Sequence, residues 1–252
     1  MAVRVGLVGL GMMGSAHFSA WRSIPSAGVM AVCDVDARRL EKDWSGVGGN
    51  LDASSGEPIA AEYKYEDYRD MLAEAPVDVV DVCVPTDLHA PIAQAALAAG
   101  KHVFCEKPMA LTVADAREMA AAAERTGRML MVGHVLRFWP QYLAMREMLE
   151  DGRHGRLRSA RFWRQGAIPG WSQRSWFTDP ARSGGAILDL HIHDTDTVQW
   201  LFGRPTAVET SGTVNDDGAI DYVWTRFHAP DADAVIVADG GWCVGAVPFA
   251  MG

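Results

Sequence analysis

Residues 3–14, VRVGLVGLGMMG, decide the fold of this chain. A short run rich in β-branched residues leads into three glycines, Gly9, Gly11 and Gly14, and a helix-like segment follows and ends before Pro25. In a strand–turn–helix unit of this kind, the first glycine allows the tight turn and the second lets a pyrophosphate approach the backbone. The third lets the helix pack closely on the strand, and the free N–H groups at the helix start attract the phosphates. The stretch therefore predicts a dinucleotide-binding βαβ unit.

An acidic residue stands where such a site needs one. Asp34 ends the next apolar run, GVMAVCD, about 20 residues after the last glycine of the turn. A carboxylate there accepts hydrogen bonds from the adenosine ribose and repels a 2′-phosphate, so NAD is the predicted cofactor and NADP is disfavoured. Arg38 and Arg39 either soften that repulsion or are solvated helix charges, and we favour the second interpretation. The predicted contacts at this turn are Gly9, Gly11, Met12, Met13, Gly14 and Asp34.

The apolar runs in the first half of the chain predict a parallel sheet. Each is nearly continuously apolar, and helical segments of roughly 10–15 residues separate them, which is typical of a doubly wound α/β domain. Beyond them, three candidate strands at 206–215, 219–229 and 232–244 follow one another with short turns, which predicts a mostly antiparallel sheet. The predicted domains are 1–134, which binds the dinucleotide, and 135–252, an α+β domain for the substrate and for assembly.

Composition excludes several classes of protein. The 252 residues include 23 basic and 32 acidic side chains, and the net charge of −9 is opposite in sign to that of nucleic acid binders. No run approaches the roughly 18 apolar residues that span a bilayer. The four cysteines form no close pair, so we predict free thiols and no metal site. The N-terminus loosely resembles a secretory signal, but cleavage would remove the glycine turn, and we expect a cytoplasmic protein.

The chain stops within an apolar, strand-like stretch, GGWCVGAVPFAMG, at residues 240–252. An edge strand of this kind is normally paired. We therefore expect either that sequence is missing beyond Gly252, which leaves the second domain incomplete at its C-terminus, or that this end is buried against a partner. A homo-oligomer formed through the C-terminal sheet is the predicted assembly.

A lysine follows the fifth apolar run, in the motif Cys105-Glu106-Lys107-Pro108. The carboxyl edge of a parallel sheet is where ligands of such domains bind. The ammonium group of Lys107 can donate a hydrogen bond to a hydroxyl or carbonyl oxygen of a substrate. A Lys-Pro step at a strand end is also an ordinary turn, and the sequence leaves both interpretations open.

A carboxylate and an imidazole stand four residues apart in the second domain. Asp189 and His193 fall on one face of the predicted helix, and a carboxylate that orients an imidazole suits proton transfer to or from an alcohol. A buried histidine bonded to an acid explains the pair equally well. Metal binding by His191, His193 and Asp194 is disfavoured, because helix positions two residues apart point in different directions.

These motifs, in this order, resemble the Gfo/Idh/MocA family, which includes glucose–fructose oxidoreductase and inositol dehydrogenase. The resemblance runs through VGLGMMG, the acid of AVCD, VDVVDVCVPTDLHAPIAQAAL, AGKHVFCEKPMAL, GHVLRFWP and SGGAILDLHIHDTD. It implies a Rossmann domain followed by an α+β domain.

Many members have glycine where this chain has His191, and we expect this difference to alter the wall of the substrate pocket. The implied catalytic group is Lys107, Asp189 and His193, and the implied further cofactor contacts are Pro85, Thr86, His89, Glu106 and Lys107.

The resemblance implies an NAD-dependent dehydrogenase that acts on a secondary alcohol or ketone of a sugar, an inositol or a related polyol. Two alternatives stay open: an NAD-dependent glycoside hydrolase, which forms no net NADH, and a non-catalytic NAD-binding regulatory protein. The expected partner is a small polyol or sugar, with no nucleic acid and no membrane. Candidate substrate contacts are Arg164, Gln165, Trp171 and Trp176, although core packing explains either tryptophan at least as well.

Overall fold

The computed structural model of the protein describes residues 2–41, 61–168, 176–215, 218–230, 233–243 and 249–252. The chain divides into two compact units, Met1–Gly133 and His134–Gly252. As the sequence predicts, the first contains a parallel sheet covered by helices and the second a mostly antiparallel sheet. Among the described helices, none is both long enough and apolar enough to cross a bilayer.

The first unit is a six-stranded parallel sheet with the strand order β3-β2-β1-β4-β5-β6. The order reverses between β1 and β4, and in such sheets ligands bind outside the carboxyl ends of the two strands at this switch point. The strands are β1 (Val3–Val8), β2 (Ala27–Cys33), β3 (Tyr63–Tyr65), β4 (Val79–Val82), β5 (His102–Cys105) and β6 (Leu130–Val132). The helices are α1 (Met12–Arg22), α2 (Ala37–Leu40), α3 (Tyr68–Glu74), α4 (His89–Ala98) and α5 (Val113–Thr126).

Both faces of this sheet are buried, which explains the nearly continuous apolar runs. In β1, Leu7 packs with Phe18 of α1 on one face, while Val8 belongs to the cluster that includes Leu97 of α4 on the other. Asp81 is the exception, because it lies fully buried in the middle of β4. A buried carboxylate needs hydrogen-bond donors or a cation, and its partners are described with the site below.

The second unit is a five-stranded sheet with the order β11-β7-β10-β9-β8. Among its described strands, β7 and β10 are parallel and the other pairs are antiparallel. The strands are β7 (Ser159–Ala167), β8 (Ala207–Val214), β9 (Ile220–His228), β10 (Val235–Cys243) and β11 (Ala250–Met251). The helices are α6 (Pro140–Glu150), α7 (Pro180–Ser183) and α8 (Ile192–Phe202), and a π-helical turn at Ile187–His191 leads directly into α8.

One face of this sheet packs against α8. Phe162 of β7, Phe227 of β9 and Ile236 of β10 form a buried cluster with Val198 of α8. Because side chains alternate along a strand, the neighbours of these residues lie on the opposite face of the sheet. That alternation separates several of the predicted site residues.

The last described residues are paired rather than free. Gly252 exchanges two backbone hydrogen bonds with Trp163 of β7, at 2.8 and 3.0 Å, and β11 adds an antiparallel strand at that edge. Residues 250–252 are therefore paired within the chain itself, because the outer backbone groups of β7 form hydrogen bonds with this short strand. The opposite edge is β8, which is exposed along its whole length.

Candidate active site

Each of the three positions in the turn is a glycine for a different structural reason. Gly9 has a φ of 92°, which side-chain-bearing residues rarely adopt, and a Cβ there would lie 2.6 Å from the carbonyl oxygen of Cys83. A Cβ on Gly14 would overlap the carbonyl oxygen of Gly9. By contrast, a Cβ on Gly11 would meet no atom of the described residues within 4 Å. The first and third glycines thus serve the packing of the chain itself, and the second borders open space that a ligand can fill.

The start of helix α1 presents free backbone donors beside this space. The first backbone hydrogen bond of the helix runs from the N–H of Ser15 to the carbonyl of Gly11, at 2.9 Å. The N–H groups of Met12, Met13 and Gly14 precede it, and no side chain caps this end in the described part of the chain. An uncapped helix N-terminus with a glycine approach is suited to an anion such as a pyrophosphate.

Asp34 is 5% exposed and braces the glycine turn from the end of β2. Its Oδ2 accepts the N–H of Leu10 at 2.7 Å, and its Oδ1 accepts the N–H of Asp36 at 2.8 Å. The guanidinium of Arg39 also lies 3.3 Å from Oδ2, so the interpretation of Arg39 as a solvated charge is wrong. Arg38 instead pairs with Asp36 and is largely exposed.

The loop after β4 continues from Pro85 into a 3-10 turn, Thr86–Leu88, in which Thr86 is buried. His89 is 1% exposed, and its ring nitrogens lie 2.7 Å from the carbonyl oxygen of Pro108 and 3.0 Å from that of Val84. Burial lowers the pKa of His89, although both carbonyls act against this shift. Both ring nitrogens therefore face the protein, and His89 joins the loop after β4 to the turn after β5.

The motif with the predicted lysine forms the turn after β5. Glu106 accepts the backbone N–H of Lys107 through Oε2, at 3.0 Å, and the Lys107–Pro108 peptide bond is cis. The Lys107 side chain is half-buried. The other oxygen of Glu106, Oε1, lies 3.0 Å from Nε2 of His17 on helix α1. The lysine turn and the helix of the glycine turn are thus directly connected.

Sequence reasoning missed His17 and its partner Asp81. Nδ1 of His17 lies 3.0 Å from Oδ2 of Asp81, which also accepts the indole N–H of Trp21 at 2.6 Å. The sulfur of Cys83 lies 3.2 Å from the same ring nitrogen. Two signals were available: His17 comes three residues after the last glycine of the turn, and Asp81 interrupts an apolar strand.

In the second unit, Asp189 lies in the π-helical turn Ile187–His191, and His193 lies in the first turn of α8. The sequence predicted a regular α-helix here, and the wider turn is the difference. Four residues make nearly one full turn in either kind of helix, so both side chains leave it on the same side. Both are half-buried. Short π-helical turns are rare and occur frequently at functional sites.

The residues next to this pair face the sheet instead. His191 is 4% exposed, and its Nε2 lies 3.1 Å from the hydroxyl of Thr225 on β9. Burial lowers the pKa of His191 to about 4, although the charge of Asp239 acts against this shift, so the ring is neutral at physiological pH. The ring is therefore buried against β9, and its effect on a substrate pocket stays a prediction.

Two further acids of this helix are paired with arginines. Asp194 lies 3.1 Å from the guanidinium of Arg164, and both side chains are almost fully buried. Asp196 accepts two hydrogen bonds from Arg137, at 2.8 and 2.6 Å. The ion pair with Arg164 uses one carboxylate oxygen of Asp194, and Arg137 links the motif GHVLRFWP to helix α8.

The predicted substrate residues do not form one group. Arg164 faces helix α8, whereas Gln165, the next residue of β7, lies on the other face of the sheet, with its amide 3.4 Å from Asp239. These two residues therefore lie on opposite faces of the sheet, and their contacts with a substrate stay predictions. Trp176 is half-buried and packs edge-to-face on Phe177, with ring centroids 5.7 Å apart. Trp171 lies outside the described residues.

The fold and the glycine turn define a dinucleotide-binding Rossmann domain followed by an α+β domain. Residues 3–134 match the sequence model of the Gfo/Idh/MocA oxidoreductase family, NAD-binding Rossmann fold, and residues 142–245 match the C-terminal domain of the same family. The chain belongs to the Gfo/Idh/MocA family, whose members are oxidoreductases.

The similar proteins include a sugar dehydrogenase and inositol dehydrogenases. D-apiose dehydrogenase of Paraburkholderia graminis is 34% identical over 79% of this chain and 50% of its own length. Inositol 2-dehydrogenase of Rhizobium meliloti is 32% identical over 94% of this chain and 64% of its own length. The crystal structure of GenD2 from gentamicin A biosynthesis in complex with NAD superposes with a TM-score of 0.82, at 28% identity over 99% of this chain and 68% of that one. The chain thus spans about half to two-thirds of the length of these curated relatives.

Proposed function

We propose that this chain carries the cofactor site and the acid–base residues of an NAD-dependent dehydrogenase that acts on a secondary alcohol of a sugar, an inositol or a related polyol. The observation that carries the proposal is the open space at Gly11, at an uncapped helix start beside the switch point of the sheet. The names of the relatives support the substrate class, because they include dehydrogenases of apiose and of inositol.

The residues of the first unit fit NAD. The N–H groups of Met12 and Met13 hold the pyrophosphate, and Asp34 accepts hydrogen bonds from the adenosine ribose. Asp34 favours NAD over NADP, and Arg39 at 3.3 Å makes this preference smaller than an unpaired carboxylate would give. Pro85, Thr86 and Glu106 lie on the loops after β4 and β5, at the carboxyl edge of the sheet, where they would contact the rest of the dinucleotide. When bound, NAD supplies the nicotinamide that accepts the hydride.

Three side chains act on the hydroxyl group of the substrate that is oxidised. Lys107 donates a hydrogen bond to its oxygen and stabilises the negative charge that develops there as the proton leaves. His193 accepts that proton, while the C–H bond breaks and its electron pair leaves with the hydrogen as hydride. Asp189 orients the imidazole and stabilises its protonated form. General acid–base groups of this kind typically contribute about 10²–10⁴-fold to turnover.

An absorbance screen for NADH across sugars and inositols tests this function. We expect net NADH formation with at least one polyol and slower formation of NADPH. Cleavage of a glycoside without net NADH would instead show the hydrolase alternative. Tight binding of NAD with no turnover on any polyol or glycoside would show a non-catalytic role.

A further inference from the structure

A buried ionic cluster lies behind the glycine turn and consists of His17, Asp81, Cys83 and Glu106, called here the His17 cluster. The imidazole of His17 stacks on Phe104, with ring centroids 5.5 Å apart. Its Nδ1 lies 3.0 Å from Asp81, and its Nε2 lies 3.0 Å from Glu106. An ionised carboxylate only accepts hydrogen bonds, so both ring nitrogens must carry a proton to satisfy both partners. This geometry makes His17 an imidazolium.

The surroundings of His17 support its charge. Burial by itself lowers the pKa of His17, but the hydrogen bonds that the ring donates to Asp81 and Glu106 raise it to about 10. Burial likewise acts to raise the pKa of Glu106, but His17 and Lys107 lower it overall. Burial raises the pKa of the Cys83 thiol well above its usual value, so this group stays neutral. The cluster therefore contains one cation between two carboxylates, and Lys107 is the next positive charge.

Glu106 connects the charged His17 side chain to the turn that carries Lys107. One oxygen of Glu106 faces His17, and the other accepts the backbone N–H of Lys107. Space for this carboxylate is limited, since a Cβ on Gly133 would lie 3.4 Å from Oε1. On the far side of the same turn, His89 lies 2.7 Å from the carbonyl oxygen of Pro108. The turn that carries Lys107 is therefore held at both ends.

We propose that His17 is a positioning residue, which acts as an imidazolium to fix Glu106 and, through Glu106, the backbone of the catalytic turn at Lys107. This inference rests on the proposed function, because it assumes that Lys107 contacts the reacting oxygen. A neutral side chain at position 17 leaves Asp81 and Glu106 as two buried like charges without a cation. Repulsion between these two carboxylates then favours a proton on one of them, and Glu106 no longer holds the turn in one arrangement.

The first test compares the kinetics of His17→Gln with those of the wild type on a polyol that the wild type oxidises, between about pH 6 and pH 9. Glutamine keeps a donor for Glu106 but not the charge. We expect kcat to fall about 10- to 100-fold, since small displacements of positioned groups cost rates of this order. The KM for NAD should change less than about threefold, and the kcat–pH profile of the variant should contain one ionisation more than the wild-type profile. An unchanged kcat and pH profile would overturn the proposal.

A second variant separates charge from shape. The double variant His17→Gln/Asp81→Asn removes one cation and one carboxylate, and the remaining charge of the cluster equals that of the wild type. We expect it to recover most of the lost kcat, which a purely steric role of His17 does not predict. As a matched control, His228→Gln removes an exposed histidine that pairs with Glu209, and we expect no change in kcat. Failure of the double variant to recover any kcat contradicts the charge argument.

A measurement on the wild type needs neither turnover nor a stable variant. In protein labelled with ¹⁵N-histidine, the ring nitrogens of His17 should both stay protonated at about pH 8. A His17 that titrates near its ordinary pKa, or has one protonated nitrogen, would overturn the proposal even if the dehydrogenase activity is present. Stoichiometric zinc in the purified protein would also overturn it, because the ligand atoms of His17, Asp81 and Cys83 lie within 4.8 Å of one another.

Absence of dehydrogenase activity with a charged His17 would refute the proposed function and the catalytic part of this inference, and would leave His17 as a structural ion-pair residue.

Discussion

The two glycines Gly14 and Gly11 offer a direct test of which positions serve the fold and which serve the cofactor. In Gly14→Ala the new methyl group overlaps the carbonyl oxygen of Gly9. Gly9 has little freedom to move away, because its N–H donates to the carbonyl oxygen of Cys33 at 2.8 Å and a Cβ built on it would lie only 2.6 Å from the carbonyl oxygen of Cys83. Helix α1 must therefore shift outward on β1, or the turn must change its backbone angles.

The expected cost follows from two opposing terms. Overpacking a well-packed site costs about 1–3 kcal/mol, and a backbone contact that cannot relax belongs at the upper end of this range. Replacing glycine by alanine within a helix stabilises the folded state by about 0.5–1 kcal/mol. We expect Gly14→Ala to lower the free energy of unfolding by about 2 kcal/mol.

Gly11→Ala is the matched variant, because the same methyl group enters open space. Gly11 has a φ of −73° and an extended ψ, which alanine adopts without strain. We expect the free energy of unfolding to change by less than about 0.5 kcal/mol, as for ordinary substitutions that disturb no packing. The methyl group fills the space assigned to the pyrophosphate, so NAD should bind at least about tenfold more weakly, or about 1.4 kcal/mol.

Urea unfolding of the two apo variants and calorimetric titration with NAD measure both quantities. The combination expected is a destabilised Gly14→Ala and a stable Gly11→Ala that binds NAD weakly. If Gly11→Ala bound NAD like the wild type, the assignment of the open space to the pyrophosphate would be wrong. If Gly14→Ala were as stable as the wild type, the packing argument at the turn would be wrong.

Three further predictions concern the cofactor preference, pH and assembly. Asp34→Ala should weaken the binding of NAD by about 1–3 kcal/mol and the binding of NADP by less, and equal losses in titrations with both cofactors would refute the ribose contact. Arg39→Ala should strengthen the preference for NAD, whereas substitution of the exposed Arg38 by alanine should not change it. His17 has a pKa raised from 6.5 to about 10, so its stabilisation is complete below about pH 6.5 and is lost as the pH rises to about 10. Urea unfolding should show that the free energy of unfolding falls by a few kcal/mol over this interval, and a flat profile would contradict the ion pairs. Strand β8 is an exposed edge, so we expect the protein to self-associate through the C-terminal sheet, and a monomer at high concentration in sedimentation experiments would count against this.

The sequence predicts those parts of the fold and site that depend on local order. Continuous apolar runs predict strands buried on both faces, as Leu7 and Val8 confirm, and the glycine spacing predicts the turn at the end of β1. The acid at the end of β2 follows from the same spacing. These features involve neighbours in the chain or a fixed offset within one βαβ unit, so pattern and chemistry suffice to find them.

The parts that escape prediction depend on contacts between distant segments. His17 and Asp81 are 64 residues apart, and only the order of strands in the sheet brings α1 against the end of β4. The alternation of β7 does predict opposite faces for Arg164 and Gln165, but only the packed helix shows which face is buried. The π-helical turn at Asp189 has no sequence pattern that distinguishes it from an α-helix.

The most direct test of the central claim is the turnover of Lys107→Ala, His193→Ala and their double variant on a polyol that the wild type oxidises. Each single variant should lose about 10²–10⁴-fold in kcat, or about 3–5 kcal/mol of barrier, while the Kd for NAD stays within about threefold. Asp189→Asn should lose less and show a changed pH profile, and the exposed His154→Ala should match the wild type. The double variant should lose less than the product of the single losses, because both residues act on one proton transfer. Normal turnover of His193→Ala would contradict the account and leave Lys107 as the remaining acid–base candidate.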